Sequence, residues 1–319
     1  MSRPPTFEPP GCARARTLAT ARGDFAVLDA RPGTSPGAAP ETSGGPVRGT
    51  AVLVPGFTGS KEDFIALLQP LADAGYRAVA IDGRGQYESP GGDDPAEYTL
   101  SELGRDLLAQ TAAITAEGDG GPVHLLGHSL GGLISRTAVL TDASPFLTLT
   151  LMASGPARVG PAQRERIRLL SDALATMSPA EVWEAMRALE PPADTELEGA
   201  GRDAHQDRLR ERWLRTRPGQ LIGTGRALTG EPDRVGELAA VRPLPKHVLS
   251  GERDETWPVP LMDEMAVRLG AARTIVAGAE HSPNTDRPAE TAAALIAFWD
   301  RHGTRSRPVD GGTPGDRIP

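Results

Sequence analysis

The feature that most restricts the possible folds of this chain is a succession of short apolar segments separated by longer, helix-like stretches. Most of these segments do not alternate with polar residues, as is typical of parallel strands that are buried on both faces. They occupy residues 50–54, 78–81, 123–126, 147–152, 247–249 and 273–276. Because strands that alternate with helices form parallel sheets with right-handed crossovers, the pattern predicts an α/β fold.

Two of the stretches between these segments begin with the spacing of a capping box, which marks the start of a helix. The pairs are Ser60 with Asp63 and Thr99 with Glu102. Ahead of the first parallel strand, residues 17–20 and 25–30 flank a turn and predict an antiparallel hairpin. A Pro/Gly/Ala-rich surface loop is expected at residues 32–46.

The alternation of strands and helices stops between residues 158 and 242, where the chain is polar, rich in Arg and Glu, and helical in pattern. Helices inserted between two core strands are expected to lie as a cap over one end of the sheet. The predicted limits are a core at 16–157 and 243–303, a cap at 158–242, and disordered tails at 1–15 and 304–319.

Charge and hydropathy exclude several classes of partner. The chain has 34 Lys and Arg against 42 Asp and Glu, and no block of consecutive basic residues. Nucleic acids and anionic membranes are recruited by positive fields, so neither is expected as a partner. Cys12 is the single cysteine, which rules out an internal disulfide framework. Without an apolar leader or a bilayer-length apolar run, we expect a cytoplasmic protein, either monomer or dimer.

The segment Gly127-His128-Ser129-Leu130-Gly131 follows one predicted strand and precedes a helical run. This is the context of a G-x-S-x-G nucleophile elbow, in which a serine occupies a sharp turn between strand and helix. Glycines two residues to either side leave room for the turn. The alternative is an ordinary Gly-Ser loop at a strand-helix junction, which the flanking strand and helix make the weaker interpretation.

A serine hydroxyl needs a general base, normally a histidine oriented by a carboxylate. Of the six histidines, His281 alone lies in a loop directly after a predicted strand and before the last helix. For the carboxylate, the loop after the strand at 247–249 offers Asp254, with Glu252 and Glu255 as lesser candidates. Solvated loop residues are the alternative interpretation for all of them.

An acyl-transfer site also needs two backbone N–H groups directed at the developing oxyanion. Leu130, directly after the serine, and Phe57, in the loop after the first parallel strand, are the predicted donors. Four further side chains are candidates for the substrate pocket, although packing inside the fold is the alternative for the two tryptophans. They are His128, Thr58, Trp183 and Trp257.

Taken together, these motifs resemble those of the α/β-hydrolase family with a helical cap. The resemblance covers roughly residues 16–303 and rests on the segments PGFTGS, DGRG, GHSLG, GERDET and GAEHSP. It implies an eight-stranded, mostly parallel sheet, no cofactor, no metal, and a catalytic triad in the order Ser129, Asp254, His281. The chain departs from the family at Pro55, where many members have histidine before the glycine; because the donor at Phe57 is a backbone group, little catalytic loss is expected.

The function expected from these residues is transfer of the acyl group of a small-molecule substrate to water. Ester hydrolysis needs nothing beyond the triad and the oxyanion donors, so an esterase or lipase-like enzyme is the first hypothesis. Hydrolysis of C–C, thioester or amide bonds uses the same residues and stays open. A non-catalytic binding protein with this fold is the alternative from another class.

Overall fold

In the computed structural model of the protein, eight strands form one sheet in the order β1-β2-β4-β3-β5-β6-β7-β8. The structure describes residues 3–33, 47–118, 121–189 and 200–303. The predicted C-terminal tail at 304–319 and most of the predicted loop at 32–46 lie outside these residues. The strands are β1 (Ala13–Thr20), β2 (Gly23–Ala30), β3 (Gly49–Val54), β4 (Tyr76–Ile81), β5 (Val123–His128), β6 (Phe146–Met152), β7 (Lys246–Gly251) and β8 (Ala272–Val276).

Strands β3 to β8 are parallel to one another, and only β1 and β2 run antiparallel to their neighbours. The predicted eight-stranded, mostly parallel sheet of an α/β-hydrolase fold is therefore confirmed. Each of the six predicted parallel strands is present. The hairpin is longer than predicted: β1 begins at Ala13, three residues before the expected limit of the core, because its pairing with β2 extends to Ala30.

Helices cover both faces of the sheet, as two separate apolar clusters show. The core helices are α1 (Ile65–Asp73), α2 (Leu100–Ala116), α3 (Leu130–Thr141), α9 (Val259–Leu269), α10 (Pro283–Asp286) and α11 (Pro288–Asp300), with 3₁₀ helices at Lys61–Phe64 and Pro95–Tyr98. Apolar side chains of α1 and α11 pack on one face. Those of α2, α3 and α9 pack on the other face. No helix in the described ranges is long and apolar enough to cross a bilayer.

The strand register brings the loops that matter for chemistry to one edge of the sheet. Val54 at the end of β3 lies opposite Gly127 of β5, so the loop after β3 starts beside the predicted elbow. Gly251 at the end of β7 pairs with Val276 at the end of β8. The loops that carry Asp254 and His281 therefore start side by side.

Between β6 and β7, the described residues form the helices α4 (Pro161–Thr176), α5 (Pro179–Leu189), α6 (Ala200–Arg215), α7 (Pro218–Gly230) and α8 (Val235–Ala240). We propose that they form the cap, with the limits at 158 and 242 that the sequence indicates. A third apolar cluster, centred on Trp183 and Trp213, holds α4 to α7 together. Phe7, from the segment before β1, belongs to the same cluster and its ring contacts His205.

The cap is joined to the core by a buried ion pair. Arg212 of α6 donates from Nη1 to Asp63 Oδ1 at 2.9 Å, and the two side chains are 1% and 0% exposed. Arg212 lies in the polar, Arg- and Glu-rich segment of the chain, yet its side chain is buried because its partner is a carboxylate of the core. Two backbone N–H groups add to the junction: Arg217 donates to the Gly85 carbonyl at 2.9 Å. Tyr87 donates to Thr216 Oγ1 at 3.2 Å.

Asp63 also holds two loops of the core. Its Oδ2 accepts from the Ser60 N–H at 3.3 Å, as the capping-box spacing predicted. Its backbone carbonyl accepts from Asn284 Nδ2 at 2.7 Å. One residue thus connects the cap, the loop that follows β3 and the segment that follows His281.

We expect Arg212→Met to lower the free energy of unfolding by about 3–5 kcal/mol, because it leaves the buried Asp63 carboxylate without its cation. The double variant Asp63→Asn/Arg212→Met should recover a large part of that loss, since no unpaired charge remains. Urea unfolding of the two single variants and the double variant measures the coupling between the side chains.

Arg215→Met is the control for this cycle. Arg215 lies on the same helix but is 47% exposed, with Glu88 and Glu211 as its partners. An exposed pair contributes at most about 1 kcal/mol, so a cost for Arg215→Met equal to that of Arg212→Met would contradict the assignment.

Candidate active site

Ser129 occupies a strained turn between β5 and α3. Its backbone has φ 54° and ψ −119°, a conformation that a residue with a side chain adopts only where its surroundings enforce it. A Cβ on Gly127 would lie 2.2 Å from the Gly131 carbonyl oxygen, and one on Gly131 would lie 2.2 Å from the Val54 carbonyl oxygen. Only glycine fits at either position, so the turn depends on both.

The three side chains predicted for the triad form one hydrogen-bonded chain. His281 Nε2 lies 3.1 Å from Ser129 Oγ. His281 Nδ1 lies 2.9 Å from Asp254 Oδ2. Because a carboxylate only accepts, the Nδ1 atom carries the proton and Nε2 presents its lone pair to the serine hydroxyl. This tautomer is the one that a general base at Ser129 requires.

The Asp254 carboxylate is held by its own loop. Its side chain is 0% exposed. Its Oδ1 accepts from the backbone N–H groups of Thr256 at 2.7 Å and Trp257 at 3.1 Å. The lesser candidates lie elsewhere: Glu252 accepts from the Gly278 N–H at 2.9 Å. Glu255 is exposed and lines the cleft described below.

His128 supports the loop that carries His281. Its Nε2 donates to the His281 carbonyl oxygen at 2.8 Å. Burial lowers the pKa of His128 to about 4, with the neighbouring His281 as a second, smaller cause. His128 is therefore neutral near pH 7, and it adds no positive charge beside the imidazole of His281.

Two backbone N–H groups lie beside the serine in positions that suit an oxyanion. Leu130 is the first residue of α3, where an N–H has no acceptor within its helix. Gly56 lies against the serine, since a Cβ there would be 3.1 Å from Ser129 Cβ, and Phe57 follows it directly. Among the described residues, no hydrogen-bond acceptor is recorded for the Phe57 N–H. Leu130 and Phe57 therefore stay the predicted oxyanion donors.

A cleft of about 1320 Å³ lies between the cap and the edge of the sheet, and Ser129 and His281 form part of its floor. Its cap wall is largely apolar, and a second group of lining side chains is charged and exposed. The apolar wall includes Ile167, Leu170, Ala173, Val182, Met186 and Leu228. The charged group comprises Arg166, Arg253, Glu255 and Glu280.

The four candidates for the substrate pocket separate into two groups. Thr58 and His128 line the cleft. Trp183 instead packs against Trp213 inside the cap, with ring centroids 6.4 Å apart. Trp257 is buried and donates from Nε1 to the Ala157 carbonyl at 3.0 Å. Neither Trp183 nor Trp257 lines the cleft, because the ring of each packs inside the protein.

Sequence reasoning missed two kinds of residue at this site. The apolar wall was visible only as a helical repeat, which does not reveal which face of a cap helix points toward the serine. Asn284, which joins the His281 segment to Asp63, lies in a short helix after Ser282-Pro283 and carries no motif of its own.

With the fold and the site described, the family can be stated. The model of the alpha/beta hydrolase family matches residues 51–294. The matched region exceeds half of the chain, and the protein belongs to the α/β-hydrolase family.

A curated relative matches part of the chain. The chain is 36% identical over 109 residues to "Putative carbamate hydrolase RutD" of Variovorax paradoxus (strain S110), and this region spans 34% of the chain and 39% of that protein. The chain thus matches less than half the length of this curated relative.

Solved structures share the fold over most of the chain. An esterase of Thermogutta terrifontis superposes with a TM-score of 0.68 at 20% identity, covering 92% of this chain and 100% of that one. A structure from a study of carboxylesterases of Nitrososphaera gargenis gives 0.67 at 19%, covering 90% and 98%. A bromoperoxidase of Bacillus anthracis gives 0.67 at 16%, covering 90% and 100%. At these identities the likeness establishes the fold alone.

We expect His128→Leu to slow the labelling of Ser129 by a fluorophosphonate about fivefold, because one net hydrogen bond of roughly 1 kcal/mol no longer holds the His281 loop. Labelling rates measured by intact mass spectrometry test this. The matched control is His124→Leu, since His124 is equally buried in β5 but bonds to Thr148 at the other end of the strand. Equal rates for His128→Leu and the wild type would contradict the role of His128.

Proposed function

We propose that this protein is a serine hydrolase that cleaves a carboxylic ester through an acyl-enzyme intermediate. The observation that carries the proposal is the continuous chain from Ser129 through His281 to the buried Asp254, located at a strained elbow beside two available backbone N–H groups. The membership in a hydrolase family and the esterases among the structural neighbours support it.

In the first step, His281 Nε2 removes the proton from Ser129 Oγ as the oxygen attacks the carbonyl carbon of the ester. Negative charge develops on the carbonyl oxygen, and the N–H groups of Phe57 and Leu130 stabilise it. His281 then gives its proton to the leaving alcohol as the bond to that alcohol breaks. Asp254 stabilises the imidazolium that exists between these two transfers.

In the second step, a water molecule replaces the alcohol. His281 takes a proton from the water, whose oxygen attacks the acyl carbon, and the same two N–H groups stabilise the second oxyanion. The bond to Ser129 Oγ breaks, the serine recovers its proton from His281, and the carboxylic acid leaves. Each proton that is removed is returned, so the enzyme ends in its starting state.

The cleft favours esters with an apolar acyl chain. The wall formed by α4, α5 and α7 is largely apolar, and the charged side chains that line the cleft outside the predicted triad are exposed. Burial of a methylene group in such a wall is favourable by about 0.8 kcal/mol. We therefore expect kcat/KM to rise with acyl length over the first several carbons.

A second candidate is hydrolysis of a carbamate or amide bond, which the relative from Variovorax paradoxus favours. The same residues would act, but His281 must then protonate a leaving amine. A p-nitrophenyl ester panel with acyl chains of increasing length, tested beside p-nitroanilides of the same acyl chains, which release an amine, separates the two candidates.

In that panel, we expect Ser129→Ala, His281→Ala and Asp254→Asn each to lower kcat/KM at least about a thousandfold. Ser135→Ala is the matched control, since Ser135 is a buried serine on α3 outside the site. Ester turnover that survives in Ser129→Ala would exclude the mechanism. An inactive wild type that also fails to react with a fluorophosphonate would favour a binding protein.

A further inference from the structure

Gln86 is a buried side chain, 4% exposed, that bridges two loops at the active edge of the sheet. Its Nε2 donates to the Gly56 carbonyl oxygen at 3.1 Å. Its Oε1 accepts from the Gly83 N–H at 2.9 Å. The first loop follows β3 and contains Phe57, whereas the second follows β4. Gln86 itself does not contact the cleft surface within the described part of the chain.

The bond to Gly56 determines where the next N–H points. The Gly56 carbonyl and the Phe57 N–H belong to one planar trans peptide unit, in which the two bonds point in opposite directions. Gly56 lies against Ser129, as the 3.1 Å distance from an added Cβ to Ser129 Cβ shows. Holding the carbonyl away from the serine therefore turns the Phe57 N–H toward the side where the oxyanion develops.

The Gly56 carbonyl oxygen has a second donor, the Gly59 N–H at 3.2 Å. Two donors on one carbonyl use both of its lone pairs and polarise the peptide unit, which makes its N–H a stronger donor. The contact from Gln86 thus has a directional and an electronic effect on the same N–H group.

We infer that Gln86 is a positioning residue, which aligns and polarises the Phe57 N–H for the oxyanion without touching the substrate. The inference rests on the proposed function. A positioning role differs from a purely structural link between the two loops. Loss of a structural link, or brace, would lower stability and substrate affinity, whereas loss of an aligned donor mainly raises the free energy of the transition state.

A matched residue separates these two roles. Gln110 on α2 is also buried, and its Nε2 lies 3.4 Å from the Asp82 carbonyl at the base of the loop that follows β4. Its hydrogen bond goes to neither Gly56 nor Phe57. Gln110→Met therefore reports the cost of losing a buried glutamine in this region without any change at the oxyanion donors.

The experiment compares the wild type with Gln86→Met, Gln86→Glu and Gln110→Met in ester hydrolysis and inhibitor binding. A trifluoromethyl ketone of the best acyl chain is the first inhibitor, because Ser129 adds to its carbonyl, His281 takes the proton, and an oxyanion forms. The methyl ketone of the same chain is the second, since it binds largely without addition.

For Gln86→Met we expect kcat to fall about 10- to 100-fold, below the full loss of one oxyanion donor, which is about 100- to 1000-fold. The affinity for the trifluoromethyl ketone should fall by the same factor. KM and the affinity for the methyl ketone should stay within about twofold, because neither depends on the oxyanion.

For Gln86→Glu we expect kcat and the affinity for the trifluoromethyl ketone to fall at least as much. The substitution is nearly isosteric and keeps an acceptor for the Gly83 N–H. Its carboxylate cannot donate to the Gly56 carbonyl. This variant also keeps the test available if Gln86→Met does not fold. Gln110→Met should retain kcat and both inhibitor affinities and change only the melting temperature.

Each of the other outcomes contradicts either the inference about Gln86 or the proposed function. An active wild type with unchanged kcat in both Gln86 variants would disprove the inference and leave the proposed function intact. Parallel losses in KM, methyl ketone affinity and melting temperature would identify Gln86 as a brace. A wild type that neither turns over an ester nor forms an adduct with the trifluoromethyl ketone would remove the proposed function, and the inference with it.

Discussion

The site depends on the close packing that forces Ser129 into a positive-φ turn. Gly127 and Gly131 allow β5, the loop after β3 and the start of α3 to approach to distances that any Cβ would prevent. The same approach places Gly56 against the serine and directs the first N–H of α3 outward. The proposed nucleophile and oxyanion donors are therefore products of one local arrangement, and the energy that the strained turn costs is offset by the burial of the strands around it.

The polar groups of the site are organised by the same loops that end the strands. The Asp254 side chain is buried, and the N–H groups of its own loop replace water around its carboxyl group. His128 and Asn284 fix the segment that carries His281 from two sides. Asp254 and His281 of the proposed triad thus have neighbours that restrict their positions, and such support is what a preorganised site requires.

The sequence predicts those features of the site that depend on residues close together along the chain. The elbow needs glycines at fixed spacing, and the histidine and acid loops follow recognisable strands, so Ser129, His281 and Asp254 could be chosen from their positions along the chain. The same reasoning failed to find Gln86, Asn284 and the partner of Arg212, because each acts across a long separation in sequence. For Trp183 and Trp257, the direction of a side chain depends on tertiary packing that periodicity does not encode.

The junction at Asp63 divides the cap into two parts with different freedom to vary. Helix α6 and the start of α7 are tied to loops that also hold the active-site residues, so a substitution there disturbs the chemistry. Helices α4 and α5 supply the wall of the cleft and present Leu169 and Leu189 at the surface. Substitutions on these two helices can alter the shape of the acyl pocket while the reacting groups keep their geometry, so substrate range can diverge among relatives that share one mechanism.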